Sequence, residues 1–181
     1  MFLYLGGFLI AIAIERWNLH KRIALNIISA IGTKINLIIL GFMIATAFLS
    51  MWISNTATSV MMLPIALAII KQLEDNPSTL VDENKQFGKA LLLSIAYSAS
   101  IGGVATIIGT PPNLVLAGVV ESNFGYEISF FKWFIFGFPI SIIMLFICWK
   151  YLTKKAFKFE QNEFPGGKKE IIRLKNNLGK M

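Results

Sequence analysis

The sequence has a single cysteine, Cys148, and a single histidine, His20. One cysteine excludes an internal disulfide, and a lone histidine has no partner for a histidine-based metal site. Charge is scarce too: 15% of the 181 residues, where a soluble domain carries about 25%. Three stretches, 35–70, 90–120 and 133–149, contain no Asp, Glu, Lys, Arg or His at all. Each reaches or approaches the roughly 20 apolar residues that a bilayer core demands. With 55% hydrophobic residues, the chain reads as an integral membrane protein with an all-α, polytopic fold. No basic stripe is interleaved with exposed aromatics, so the net charge of +7 is not a nucleic-acid signal. No nucleophile–base pair stands out, and an enzyme is not the expectation. A signal peptide is not expected either. Residues 1–14 lack a basic leader, and Glu15 and Arg16 end the apolar run. That run is about 21 Å long as a helix, and is expected to be the inner part of a helix beginning upstream.

What remains is an ordered series of segments. Residues 1–14 form an apolar helix, and 15–34 an amphipathic one. There Trp17, Ile23, Ile27 and Ile31 recur near helical spacing against Arg16, His20 and Lys21, which places it in the membrane interface. The run 35–70 would be about 54 Å long as one straight helix, too long for a bilayer. As two full spans it leaves no room for a turn. A re-entrant hairpin of two half-depth helices is the third option. Residues 71–89 read as a polar loop, with Asn76-Pro77-Ser78 as a turn signal. The run 90–120 is a broken transmembrane helix, interrupted at Gly109-Thr110-Pro111-Pro112-Asn113. Residues 121–127 make a polar turn, 130–152 a full span, and 153–181 a basic linker or tail.

Positive charge tests the hairpin. Sixteen of the 17 Lys and Arg residues fall within 16–34, 71–89 and 150–180. Only Lys132 lies elsewhere. If 35–70 enters and leaves on one face, all sixteen are cytoplasmic, as the positive-inside rule requires. A single crossing would put positive loops on both faces.

Two charge-free, broken segments in one chain point to a transporter binding site. The first break centres on Ser54-Asn55-Thr56. A helix ending before it offers free carbonyls, and a helix starting around Ala57 offers free N–H groups. The tip can therefore present oxygens to a small cation and donors to an anion. Ser50, one turn before Ser54, adds another oxygen. At the second break Thr110 is a candidate N-cap, Pro111 a first helical residue, and Asn113 a polar group in the first turn. Gly102, Gly103 and Gly109 permit close backbone approach. The competing readings are interhelical hydrogen-bond glue for the first break and a simple proline kink for the second. The first of these leaves the second break unexplained.

The segments "SNT" followed by "ATSVMMLPIALAI", "SIGGVATIIGTPPNLVLAG" downstream, and "ERWNLHKRIAL" upstream resemble the divalent anion:sodium symporter family. The resemblance covers residues 8 to 150. It implies a secondary transporter of dicarboxylates, tricarboxylates or sulfate, driven by sodium as a transported ion rather than a prosthetic group. It also implies an elevator motion, a homodimer in the full-length protein, and a plasma or inner membrane location. Carried over, Ser50, Ser54, Asn55 and the backbone of Gly109 form a sodium site. Asn55 and Thr56, with Thr110 nearby, face the substrate carboxylate, and Asn113 joins them as a candidate substrate residue. Family members have two inverted repeats, and this chain resembles the latter part of the first. A sodium-independent exchanger of the same fold and a non-transporting membrane subunit are the alternatives.

Overall fold

A computed structural model describes residues 34–74, 81–157 and 159, with isolated positions 13, 16, 17, 22, 25 and 26 before them. The expected apolar helix, most of the interfacial helix, the Asn76-Pro77-Ser78 turn and the tail beyond 159 fall outside the described residues. The regular elements within them are helices: α1 (Ile35–Ser50), α2 (Asn55–Glu74), α3 (Val81–Val104), α4 (Pro111–Phe124) and α5 (Phe130–Tyr151), closed by a short π-helix, Leu152–Ala156.

Neither long apolar run is one helix. The first leaves helical geometry at 51–54, where Trp52 and Ile53 both donate to the Leu49 carbonyl and tighten the last turn of α1. The second leaves it at 105–110. Helix α2 begins at Asn55, ahead of the Ala57 start expected from sequence, because Ser54 already serves as its cap: its Oγ accepts from the Ala57 N–H at 3.3 Å. The polar loop expected over 71–89 is helical at both ends, since α2 runs on to Glu74 and α3 starts at Val81. The end of an apolar run marks a change of surroundings. It does not end the backbone hydrogen-bond ladder, and Lys, Gln and Glu are good helix formers. Helix α4 likewise continues to Phe124 and stops where Gly125 takes a left-handed φ of 63° and donates to the Glu121 carbonyl.

Helix α3 is the axis of the bundle, with α1, α2 and α5 packed on it. Contacts at the two ends fix the directions. At one end Ile70 lies against Gly88, Phe87 against Phe159, and the Trp149 indole N–H donates to the Asn36 carbonyl at 2.9 Å. At the other end Ala47 meets Gly102, Asn55 meets Gly103, and Trp133 reaches Val104. Helices α1 and α3 therefore run one way, and α2 and α5 the other. Both outer ends of the α1–α2 pair lie at the same end of the bundle.

In lipid no hydrophobic force draws helices together, so close van der Waals packing must. Small residues make that approach here. A Cβ placed on Gly102 would lie 2.5 Å from the Ala47 Cα, so this crossing brings two backbones into direct contact. Along the bundle Ile38, Ile39, Phe42 and Met43 of α1, Met62 and Ile69 of α2, and Leu91 of α3 are fully enclosed. Helices α4 and α5 are different. Asn113 is the one buried side chain of α4, and only 11% of the apolar window of the span Phe130–Ala156 is buried. That span and Asn84–Val104 are long and apolar enough to cross a membrane, while α1 and the apolar part of α2 are shorter.

Candidate functional site at two helix breaks

The two breaks lie side by side. The Asn55 side chain rests directly on Gly103, where any Cβ would collide with its Oδ1. The Thr106 hydroxyl donates to the Met51 carbonyl at 2.6 Å, tying the second break to the end of α1. A Cβ on Gly109 would lie 2.5 Å from the Gly103 carbonyl oxygen, so the second break is folded back on the end of α3. Two helix C-termini, of α1 and α3, and two N-termini, of α2 and α4, thus converge around Gly103. Each terminus carries about half a unit of charge.

Ser50 is fully buried within this convergence. Its Oγ lies 2.7 Å from the Ala99 carbonyl oxygen and 2.8 Å from Asn55 Oδ1. A hydroxyl has one proton and can donate to one of these at a time. The single Ser50 proton therefore serves one of these two oxygens at a time. An oxygen cluster of this kind suits a small cation, which oxygen lone pairs coordinate. Thr46 and Thr58, fully buried one turn away from Ser50 and Asn55, have hydroxyls with no partner among the described residues.

Not every residue singled out from sequence joins this cluster. Ser50 and Asn55 are in direct contact. Ser54 is exposed and spends its Oγ on the α2 cap, and Thr56 is exposed one residue into the helix. Thr110 occupies the N-cap of α4 in extended conformation, half-buried, with Pro111 following and no capping bond from its hydroxyl. Asn113 spans the second break: its amide nitrogen donates to the Gly103 carbonyl at 3.0 Å and to the Thr106 carbonyl at 2.8 Å. Both of its N–H donors are thereby committed to backbone.

Three participants escape a reading of the sequence. The Ala99 carbonyl belongs to an ordinary helical residue. Thr106 carries only a weak signal, a hydroxyl in an apolar run near the break. Trp133 lies far along the chain in α5, yet its indole N–H donates to the Val104 carbonyl at 2.9 Å.

A helical membrane bundle whose paired helix breaks gather oxygens and no charge has the make-up of a secondary-transporter site. The chain belongs to the citrate transporter family, whose model matches residues 1–180. The sodium-dependent dicarboxylate transporter SdcS of Staphylococcus saprophyticus is 50% identical over 183 residues, which cover 100% of this chain and 35% of the relative. SdcS of Staphylococcus aureus strain USA300 is likewise 50% identical over 183 residues. The chain thus spans about a third of the length of these curated relatives, 35% in each case. The resemblance carried by the Ser-Asn-Thr and Gly-Thr-Pro-Pro-Asn motifs agrees with these matches.

Proposed function

We propose that this chain forms part of a sodium-coupled secondary transporter of divalent anions, dicarboxylates or tricarboxylates foremost and sulfate after them. The observation that carries the reading is the Ser50–Asn55–Ala99 oxygen cluster, set where four helix ends meet and no charged side chain is present. The names of the relatives support sodium and dicarboxylates as cargo.

In this reading sodium binds at Ser50, Asn55 and neighbouring carbonyls, with Ser54 and the Gly109 backbone at its edge. The anion faces Asn55, Thr56 and Thr110 at the N-termini of α2 and α4. Asn113 acts differently. With both donors committed, it has only an acceptor oxygen left, which cannot hold a carboxylate; its part is to keep the second break in shape. The α1–α2 pair enters and leaves on one membrane face as a re-entrant hairpin. Its common end and the basic segments are cytoplasmic, and the 121–132 turn is outside. The family resemblance adds a homodimer.

Charge makes the coupling necessary. Two helix N-termini offset about one negative charge of a dianion. The other remains uncompensated in a low-dielectric site unless a cation joins it. Sodium must then tighten the anion, and the anion must tighten sodium by the same factor, typically about 5- to 150-fold. Calorimetry of succinate binding to the protein completed to the length of its relatives, in sodium chloride and in choline chloride, tests this. Much tighter binding in sodium is expected. Equal affinities would indicate a sodium-independent exchanger, and no binding of any divalent anion a non-transporting subunit.

A further inference from the structure

Helix α5 has only two buried residues, Gly137 and Ser141, and these, with Trp133 on the same face, meet the end of α3. The Trp133 indole N–H donates to the Val104 carbonyl and the Ser141 hydroxyl to the Ile101 carbonyl, each at 2.9 Å. Gly137 lies between them. A Cβ there would lie 2.8 Å from the Val104 carbonyl oxygen and 3.2 Å from that of Ala105. These residues recur every four positions, so they form one ladder on one face of α5.

The last four carbonyls of a helix have no partner within it. In lipid each must find one. At the end of α3 all four are accounted for: Ile101 by Ser141, Gly102 by the Ala105 N–H, Gly103 by Asn113, and Val104 by Trp133. Two of the four depend on α5. We infer that Trp133 and Ser141, seated by Gly137, are positioning residues for the cation site. By turning the Ile101 and Val104 carbonyls toward α5, they hold the end of α3 at the spacing where the Ala99 carbonyl meets Ser50 and Gly103 meets Asn55. Neither side chain touches the oxygen cluster. Their influence passes through the backbone of α3, over one turn. Binding geometry must be held within about 0.5 Å to be productive, so the bonds that fix the end of α3 bear on the site.

The inference rests on the sodium reading above, and its test separates the two. In the protein completed to the length of its relatives, succinate uptake is measured against sodium concentration for Trp133→Phe and Ser141→Ala, with choline keeping the salt constant. Each variant removes one neutral hydrogen bond. Each should raise the half-activating sodium concentration by about 2- to 10-fold and leave the succinate KM at saturating sodium unchanged. Ser141→Thr keeps the hydroxyl and should restore the original sodium dependence. If Trp133→Phe fails to fold, the Ser141 pair decides the matter. A lowered melting temperature with unchanged sodium activation would overturn the positioning role and leave the sodium reading standing. Sodium-independent uptake in the unsubstituted protein would sink both.

Discussion

Asn55 stands where the two proposed ligands would meet. Its Oδ1 lies beside the Ser50 hydroxyl, and its backbone starts α2, where the N–H groups have no helical partner. A cation drawn to the first and an anion drawn to the second would be neighbours. Asn55→Ala should therefore weaken sodium activation and anion affinity together, which paired titrations of each ligand at fixed levels of the other would reveal. A change in anion affinity alone would remove Asn55 from the cation site. Ser54 and Thr56, its neighbours in sequence, are both exposed. Ser54 caps the helix with its own hydroxyl, and Thr56 faces outward, because successive residues of a helix point about 100° apart.

The helices owe their arrangement to small residues as much as to large ones. The α1–α3 crossing at Ala47 and Gly102 sets the depth at which the two breaks meet. Gly102→Ala would press a methyl group into the Ala47 backbone, which cannot rotate away as a side-chain tip could. Overpacking of this kind costs about 1–3 kcal/mol, so the variant's melting temperature in detergent should fall, and sodium activation should weaken with it. Gly88→Ala is the control. Its Cβ would meet the Ile70 side chain at 3.5 Å, an ordinary contact, and its stability should stay close to the parent's. Equal melting temperatures for the two variants would mean that the Ala47–Gly102 contact is not the tight point of the bundle.

At the scale of the whole molecule, the distribution of charge and the direction of the helices agree. Ile35 and Glu74, the outer ends of α1 and α2, lie at the end of the bundle where α5 also finishes, and Lys34, Lys71 and Lys150 sit close to those ends in sequence. Cysteines introduced at Asn76 and Lys154 should react with a membrane-impermeant thiol reagent from the cytoplasmic side, and one at Asn123 from outside. Labelling of the Asn76 position from outside would mean that the 35–70 run crosses the membrane. Helix α4 projects from the bundle with Val115, Leu116 and Val119 exposed. The chain spans about a third of its relatives' length, 35% in each case.

The sequence by itself determined the membrane class, the helical content, the existence of two breaks and their polar residues. Each of these follows from local chemistry. A charge-free run longer than a bilayer must be interrupted, and Ser-Asn-Thr and Thr-Pro-Pro-Asn are residues that interrupt helices. The family resemblance came from the same motifs. Helix ends were less legible, as α3 beginning at Val81 illustrates, because a lysine or glutamate leaves lipid without leaving the helix. Only the tertiary structure decided which atoms form the candidate site. The Ala99 carbonyl is chemically identical to every other backbone carbonyl. It became a member of the oxygen cluster because α1 crosses α3 closely enough to bring Ser50 to it. Asn113 is a similar case: its amide type was evident in the sequence, but the commitment of both its donors to Gly103 and Thr106 depends on how the second break folds back. Trp133 reaches Val104 across 29 residues of chain, a pairing set by helix packing, and nothing in the local sequence around either residue specifies it.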